Sequence, residues 1–463
     1  MKRAFVLAFF LAISAYGQPT IPQTPAGKAF EAWLTSFNSA DPAQIRAFDA
    51  AYPRENAPPV EARVDFSQRT GGFTVLRIEK NEPLLLVVLL QEKKSDTVAR
   101  IEMKVSSDEP PKILGSSMEA IPRPADLAIP RMTEAAALAA LSARADELAK
   151  ADEFSGTLLV ARKGKILLEK AWGRADREAG TPATPATQFR IGSMNKMFTS
   201  IATLQLVEAG KLSLDDPIGK HLTDYPNKDV ASKVTVRHLL THTGGTDDIF
   251  GPEFEKNRDH LREHGDYVKL YGARGLTHEP GAEHRYSNYG FVLLGALIEK
   301  VSGVSYYDYV REKIFKPAGM TSTDSLPETE SLPSRSKGYL KANGSWTSNA
   351  ETLPWRGTSA GGGYSTVGDF FRFAEALEAG KLVSKALLAE ATKPQIEGYG
   401  YGFGTGGEGV LKSYGHSGGA PGMNGSLLVF PNLGYVVVGL SNLDPPAASR
   451  LVEYFSLRMP EKP

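Results

Sequence analysis

Apolar and polar positions follow two periods along this chain, and the architecture changes where the period switches. Over residues 28–52, Phe30, Trp33, Leu34 and Phe37, then Ile45 and Phe48, recur at helical spacing, and Asp41-Pro42 is placed to start a second helix. Strand-like runs follow at 72–78, 83–90, 97–105 and 112–117, where Ile101, Met103 and Val105 alternate with polar neighbours. A small α+β unit over residues 18–120 is predicted. The proline-rich stretch Ile121-Pro-Arg-Pro-Ala-Asp-Leu-Ala-Ile-Pro130 interrupts the pattern and reads as a linker over 121–132.

A second domain, 133–463, opens with an alanine-rich amphipathic helix over 133–150. Residues 154–162 and 165–172, joined at Lys163-Gly164, read as a β-hairpin. A largely helical section spans 212–323. A helix after Ser365-Thr366, strands near 399–404, 410–415, 425–430 and 435–441, and a last helix over 447–457 complete the chain. Strands at both ends with helices between them predict an α+β fold, an antiparallel sheet flanked by helices and carrying an all-helical insertion.

An apolar helical run, Met197-Phe-Thr-Ser-Ile-Ala-Thr-Leu-Gln-Leu-Val207, is bracketed by Gly192 and Gly210. With so little polar surface it predicts a helix walled in by protein. Ser193 stands at its first turn, near free backbone N–H groups and the positive end of the helix dipole. Lys196 projects from the same face, and a buried ammonium gives up its proton more readily than one in water, so Lys196 can activate Ser193 as a nucleophile. Ser-x-x-Lys is a weak pattern, expected about twice by chance in such a chain. The other match, Ser334-Arg-Ser-Lys337, follows Pro327 and Pro333 in a polar segment with no apolar helix behind it.

Two further stretches can complete a site. In Arg285-Tyr286-Ser-Asn288, ahead of an apolar helix, a phenol beside an ammonium has its phenolate favoured, so Tyr286 can exchange protons with Ser193. Asn288 offers a donor and an acceptor to a substrate amide or ester. In His416-Ser-Gly418-Gly419 the glycines let a substrate lie against the strand, and the Gly419 N–H can pair with that of Ser193 as an oxyanion hole. Tyr225-Pro-Asn227 reads as a proline turn, and His242-Thr-Gly244-Gly245 as a structural loop beside the site. His260-Leu-Arg-Glu263-His264 fits an inverted zinc-protease pattern, but its charged surroundings favour an exposed helix.

Composition narrows the chemistry. The 463 residues balance 53 Lys+Arg against 53 Asp+Glu, which gives no basic surplus for nucleic acid, and the absence of cysteine excludes disulfides and thiolate chemistry. Residues 1–17, with Lys2, Arg3, a short apolar core and Ala15-Tyr16-Gly17, have the layout of a cleaved secretory signal. The chain is expected to be periplasmic or secreted, with no membrane span after removal of that signal.

Ser193-x-x-Lys196, Tyr286-x-Asn288 and His416-x-Gly418-Gly419, in this order, resemble the class C β-lactamase and D-alanyl-D-alanine carboxypeptidase group of serine hydrolases. His238-Leu-Leu-Thr-His-Thr-Gly-Gly245 and Gly361-Gly-Gly-Tyr-Ser-Thr366 are similar to stretches recurrent in that group. The resemblance implies that Ser193 is acylated, that Lys196 and Tyr286 share acid/base work, that Asn288 orients substrate and that Gly419 lies in the oxyanion strand, with no cofactor and no metal. Members that bind a substrate carboxylate often carry lysine where His416 stands. A histidine is a weaker cation that titrates near pH ~6.5, so carboxylate preference is expected to follow pH between about 5 and 8. Esterase, amidase or D-amino-acid peptidase activity on a small-molecule or peptide substrate is therefore expected ahead of β-lactam hydrolysis. A catalytically silent sensor is the alternative. The first unit is similar to the cone-shaped nuclear-transport-factor-2-like group, and a packing or dimerising role, forming a homodimer, is expected for it ahead of ligand binding.

Overall fold

The computed structural model describes residues 19–342 and 344–462, so the expected signal, residues 1–17, lies outside the described residues. The described residues fall into two compact units, divided between Ile129 and Pro130. In the first, helices α1 (Pro25–Ser39), α2 (Pro42–Ala51) and α3 (Val60–Thr70) precede an antiparallel meander of β1 (Phe73–Glu82), β2 (Leu85–Glu92), β3 (Val98–Val105) and β4 (Ile113–Ile121). Thr24 and Asp41 cap α1 and α2 by accepting from the N–H groups of Gly27 and Ala43, and each helix begins with proline. Phe30, Trp33 and Phe37 share a core with Val88, Leu90, Ile101 and Met103.

Helix α3 escaped the sequence reading because its buried face is polar. Arg63 is 8% exposed and pairs with Asp49 of α2, Nη1 to Oδ1 at 2.8 Å, while Ser67 donates to the Phe37 carbonyl. A stripe of that kind has no hydrophobic period to detect. Strand β4 also runs past its expected end, pairing Ala120 and Ile121 with Ala99 and Val98, so the expected linker is shorter than 121–132.

The second unit begins with α4 (Glu134–Lys150) and the hairpin β5 (Gly156–Arg162) and β6 (Lys165–Trp172). Lys163 and Gly164 take φ of +49° and +78°, the twist a two-residue hairpin turn requires. After α5 (Asn195–Glu208), the helical section that includes α6 (Asn288–Ser302), and α7 (Val367–Glu378), the chain returns through β7 (Gly404–Gly406), β8 (Ser413–Ala420), β9 (Met423–Phe430) and β10 (Tyr435–Ser441) to α8 (Ser449–Ser456). The sheet order is β7-β8-β9-β10-β5-β6, antiparallel throughout, so the two ends of the unit meet where Val438 lies opposite Leu159. Successive side chains serve opposite faces: Leu159, Leu427, Val429, Val436 and Val438 join the core under α5 and α7, and Leu158, Val160, Phe430 and Val437 join that under α4 and α8. The predicted fold class is the observed one. The strand expected at 399–404 is short, because Tyr399 sits in a turn before β7.

Helix α5 is buried from Asn195 to Leu204. Phe198 packs against Phe315, Phe370 and Phe373 at ring separations of 5.1, 5.7 and 4.9 Å, and truncation there would cost about 3–5 kcal/mol. That packing gives the first turn of α5 a fixed platform.

Candidate active site

Ser193 lies in a tight turn, Gly192–Met194, that leads directly into α5. Backbone bonds clamp the turn on one side: Ile191 N–H donates to Gly363 O at 3.2 Å and Gly362 N–H to Gly192 O at 3.1 Å. Strand β8 closes the other. A Cβ on Gly418 would stand 2.0 Å from Ile191 O and 3.0 Å from Ser193 N, and one on Gly192, whose φ is +53°, 3.1 Å from Gly419 N. Only glycine permits this approach, which brings the backbone nitrogens of Ser193 and Gly419 side by side.

Lys196 is fully buried, and its Nζ lies 3.2 Å from Ser193 Oγ, 2.7 Å from Asn288 Oδ1 and against the Ala360 carbonyl. Burial pushes its pKa down to about 7, opposed in part by the negative charge of Asp248. A neutral lysine amine has two N–H donors and one lone pair. Asn288 Oδ1 and Ala360 O can only accept, so they take the donors and leave the lone pair for the Ser193 hydroxyl.

Tyr286 and Asn288 flank the buried Ser287, whose Oγ accepts the Gly290 N–H at 2.9 Å and so starts α6. The Tyr286 ring lies 4.7 Å from Lys196 Nζ. Although the residue is 40% exposed, burial of the hydroxyl end raises its pKa. The phenolate expected from the sequence is therefore disfavoured: at neutral pH Tyr286 is a phenol and a proton donor. The ammonium thought to favour phenolate is itself disfavoured by burial, which lowers its pKa to about 7.

Asn288 Nδ2 donates to both Asp248 oxygens, at 3.1 and 3.0 Å. Its donor end, expected to meet substrate, is thus held by Asp248, and its carbonyl is turned onto Lys196. Asp248 was missed by the sequence reading; its only signal was a pair of acids just past the glycines of 242–245.

His416 sits on the face of β8 that carries Tyr414 and Gly418, the face turned to the nucleophile turn. Its Nε2 is 2.9 Å from the Tyr399 hydroxyl and its Nδ1 2.5 Å from Ser417 O. Burial, with the nearby charge of Lys196, pushes its pKa down to about 4. This corrects the expectation of a cation titrating near neutrality: His416 is uncharged from pH 5 to 8. His242, expected in a loop beside the site, is buried with its ring 4.2 Å from that of Tyr286 and 4.9 Å from that of Tyr399.

The competing motifs fall elsewhere. Lys337 is half-exposed and pairs with Asp176 at 3.0 Å, Tyr225 meets the Tyr289 hydroxyl at 3.2 Å, and Asn227 caps the helix that follows it. His260 and His264 do not share a helix. Contrary to the expected exposed helix, His264 is buried, with Nδ1 2.9 Å from Glu299 and Nε2 accepting the Ser359 N–H at 3.2 Å. Among the described residues no three His, Asp or Glu side chains are grouped to hold a metal ion.

The beta-lactamase family model matches residues 141–457, within the second unit. Penicillin-binding protein 4* of Bacillus subtilis is 31% identical over 64% of this chain and 70% of its own length. The chain spans about two thirds of the length of the curated relatives it matches. Among solved structures, a penicillin-binding protein from Bacillus halodurans is similar with 32% identity and a TM-score of 0.61, covering 66% of this chain and 98% of that one. A D-stereospecific amidohydrolase from Streptomyces sp. is similar with 29% identity and a TM-score of 0.56, covering 68% and 97%.

Proposed function

Because the chain belongs to the beta-lactamase family, we propose that it is an exported serine hydrolase that cleaves a small ester, amide or D-amino-acid peptide through an acyl-enzyme on Ser193. One observation carries this reading: a fully buried Lys196, with its pKa near 7, turned on the Ser193 hydroxyl at 3.2 Å. The name of the Streptomyces amidohydrolase supports an amide among the substrates.

The Ser193 oxygen attacks the substrate carbonyl while its proton passes to Lys196 Nζ. The electron pair displaced onto the carbonyl oxygen is met by the N–H groups of Ser193 and Gly419. Collapse of that adduct breaks the bond to the leaving group, which takes a proton from the Tyr286 phenol; Lys196 returns a proton to Tyr286. Water then attacks the acyl ester, gives a proton to the same pair, and Ser193 leaves with it. Asp248 and Asn288 hold the lysine amine in line.

A fluorophosphonate probe read by intact mass tests this. The wild-type adduct should vanish in Ser193→Ala and persist in Ser334→Ala. No adduct with any acylating probe would leave a silent sensor on the same fold. We assign the first unit a packing or dimerising role, which sedimentation tests: a mass of one chain at every concentration removes dimerisation.

A further inference from the structure

A hydrogen-bonded line beside the nucleophile joins His416 to four groups outside the expected set, the Ser287 N–H, His242, Tyr399 and the Ser417 carbonyl. The Ser287 N–H donates to His242 Nδ1 at 3.1 Å, His242 Nε2 lies 3.2 Å from the Tyr399 hydroxyl, and that hydroxyl lies 2.9 Å from His416 Nε2. His416 Nδ1 ends the line 2.5 Å from Ser417 O. Both ends are backbone groups with a single role, since an N–H only donates and a carbonyl only accepts. The direction of every bond between them follows. His242 must carry its proton on Nε2 and give it to the Tyr399 oxygen; Tyr399 must give its own to His416 Nε2; His416 must hold its proton on Nδ1. A second proton on His416 would reverse one bond and leave the buried Tyr399 hydroxyl proton without an acceptor.

We propose that Tyr399 and His242 are positioning residues that lock His416 as a neutral imidazole with both nitrogens occupied, so that the place beside Gly418 and Gly419 selects substrates whose adjoining end is uncharged. Such an imidazole has no charge and no free donor for a carboxylate, and amides and esters with neutral ends lose nothing by that. The other groups around it reinforce the choice. Lys196 of α5 lies on the same side, the Tyr286 and His242 rings meet at a tilt with centroids 4.2 Å apart, and His284, paired with Glu397 at 3.4 Å, flanks Tyr399 at 5.8 Å. None places a carboxylate in contact with His416. The inference rests on the proposed acyl-enzyme reading for its substrate consequence, and not for the hydrogen-bonded line.

Nitrogen-15 NMR of the histidine side chains in the unliganded protein, with His416 assigned by loss of its signals in His416→Gln, tests the line directly. Expected is one Nδ1–H tautomer that does not titrate between pH 5 and 8, giving way in Tyr399→Phe to a mixed tautomer that titrates at higher pH. An Nε2–H tautomer in the wild type, titration near pH ~6.5, or a tautomer unmoved by Tyr399→Phe in a folded variant would each overturn it. For selectivity, kcat/KM for an N-acyl amino-acid amide is compared with that for an N-acyl dipeptide ending in a free carboxylate. The ratio should favour the amide and change less than ~2-fold from pH 5 to 8, where a titrating His416 would raise the carboxylate substrate several-fold on acidification. Absence of turnover on both substrates defeats the hydrolase reading, while the NMR result still decides the line.

Discussion

Two stretches of this chain carry the same four-residue pattern, and they differ in what surrounds it. At Ser193–Lys196 the lysine is fully buried on a packed helix, its amine fixed by Asn288 and Ala360. At Ser334–Lys337 the lysine is half-exposed and answers Asp176 and Glu178 across the surface. The first lysine has its charge disfavoured by burial, lowering its pKa to about 7, while the second has its charge favoured by a hydrogen bond to Asp176, raising its pKa. What makes a base of one and an ornament of the other is desolvation, which no local spacing encodes.

The comparison breaks most sharply at the nucleophile. Ser193→Ala should abolish covalent labelling, and Ser334→Ala should leave it intact; labelling that survives in Ser193→Ala would move the nucleophile elsewhere. Next come the proton-transfer groups. Lys196→Ala and Tyr286→Phe should each lower single-turnover acylation by about two to four orders of magnitude, whereas Lys337→Ala should not change it.

The protonation state supplies a finer test. Lys196 must be neutral to accept a proton, so acylation should fall about tenfold per pH unit below about 7 and level off above it. A profile flat from pH 5 to 8 would show that Lys196 is not the base. The same shift bears on stability. Between about 7 and 10.5 the unfolded chain holds a proton on Lys196 that the folded chain lacks, so this group's contribution rises with pH across that window and is constant below it.

Asp248→Asn should act more gently. Asp248 raises the Lys196 pKa, so its loss should move the acylation midpoint below about 7 while kcat at high pH changes by less than ~10-fold. A midpoint shifted upward would contradict the assigned charge coupling. Smallest of all, Lys337→Ala should cost under ~1 kcal/mol in denaturant unfolding, the range of a surface ion pair.

The sequence by itself determined a good deal. The apolar run after Ser193, the hairpin turn at Lys163-Gly164 and the strands 425–430 and 435–441 are local patterns, and each formed where the sequence placed it. Ser193, Lys196, Tyr286, Asn288, His416, Gly418 and Gly419 were all singled out from three short motifs, and the tertiary structure brings them to one place. Tertiary structure alone decided their states. Desolvation raises the pKa of the Tyr286 phenol and, with the nearby charge of Lys196, lowers that of His416, and desolvation depends on what distant segments pack around a group. Asp248 and Tyr399 carry no motif, and His242 stands in one read as a structural loop; they reach the site through loops that converge only in the folded unit. Helix α3 was hidden for a related reason, since its inner face is held by the Arg63–Asp49 pair, and a polar contact leaves no period in the sequence. Period and motif follow from neighbours along the chain, whereas charge, tautomer and hydrogen-bond direction follow from neighbours in space.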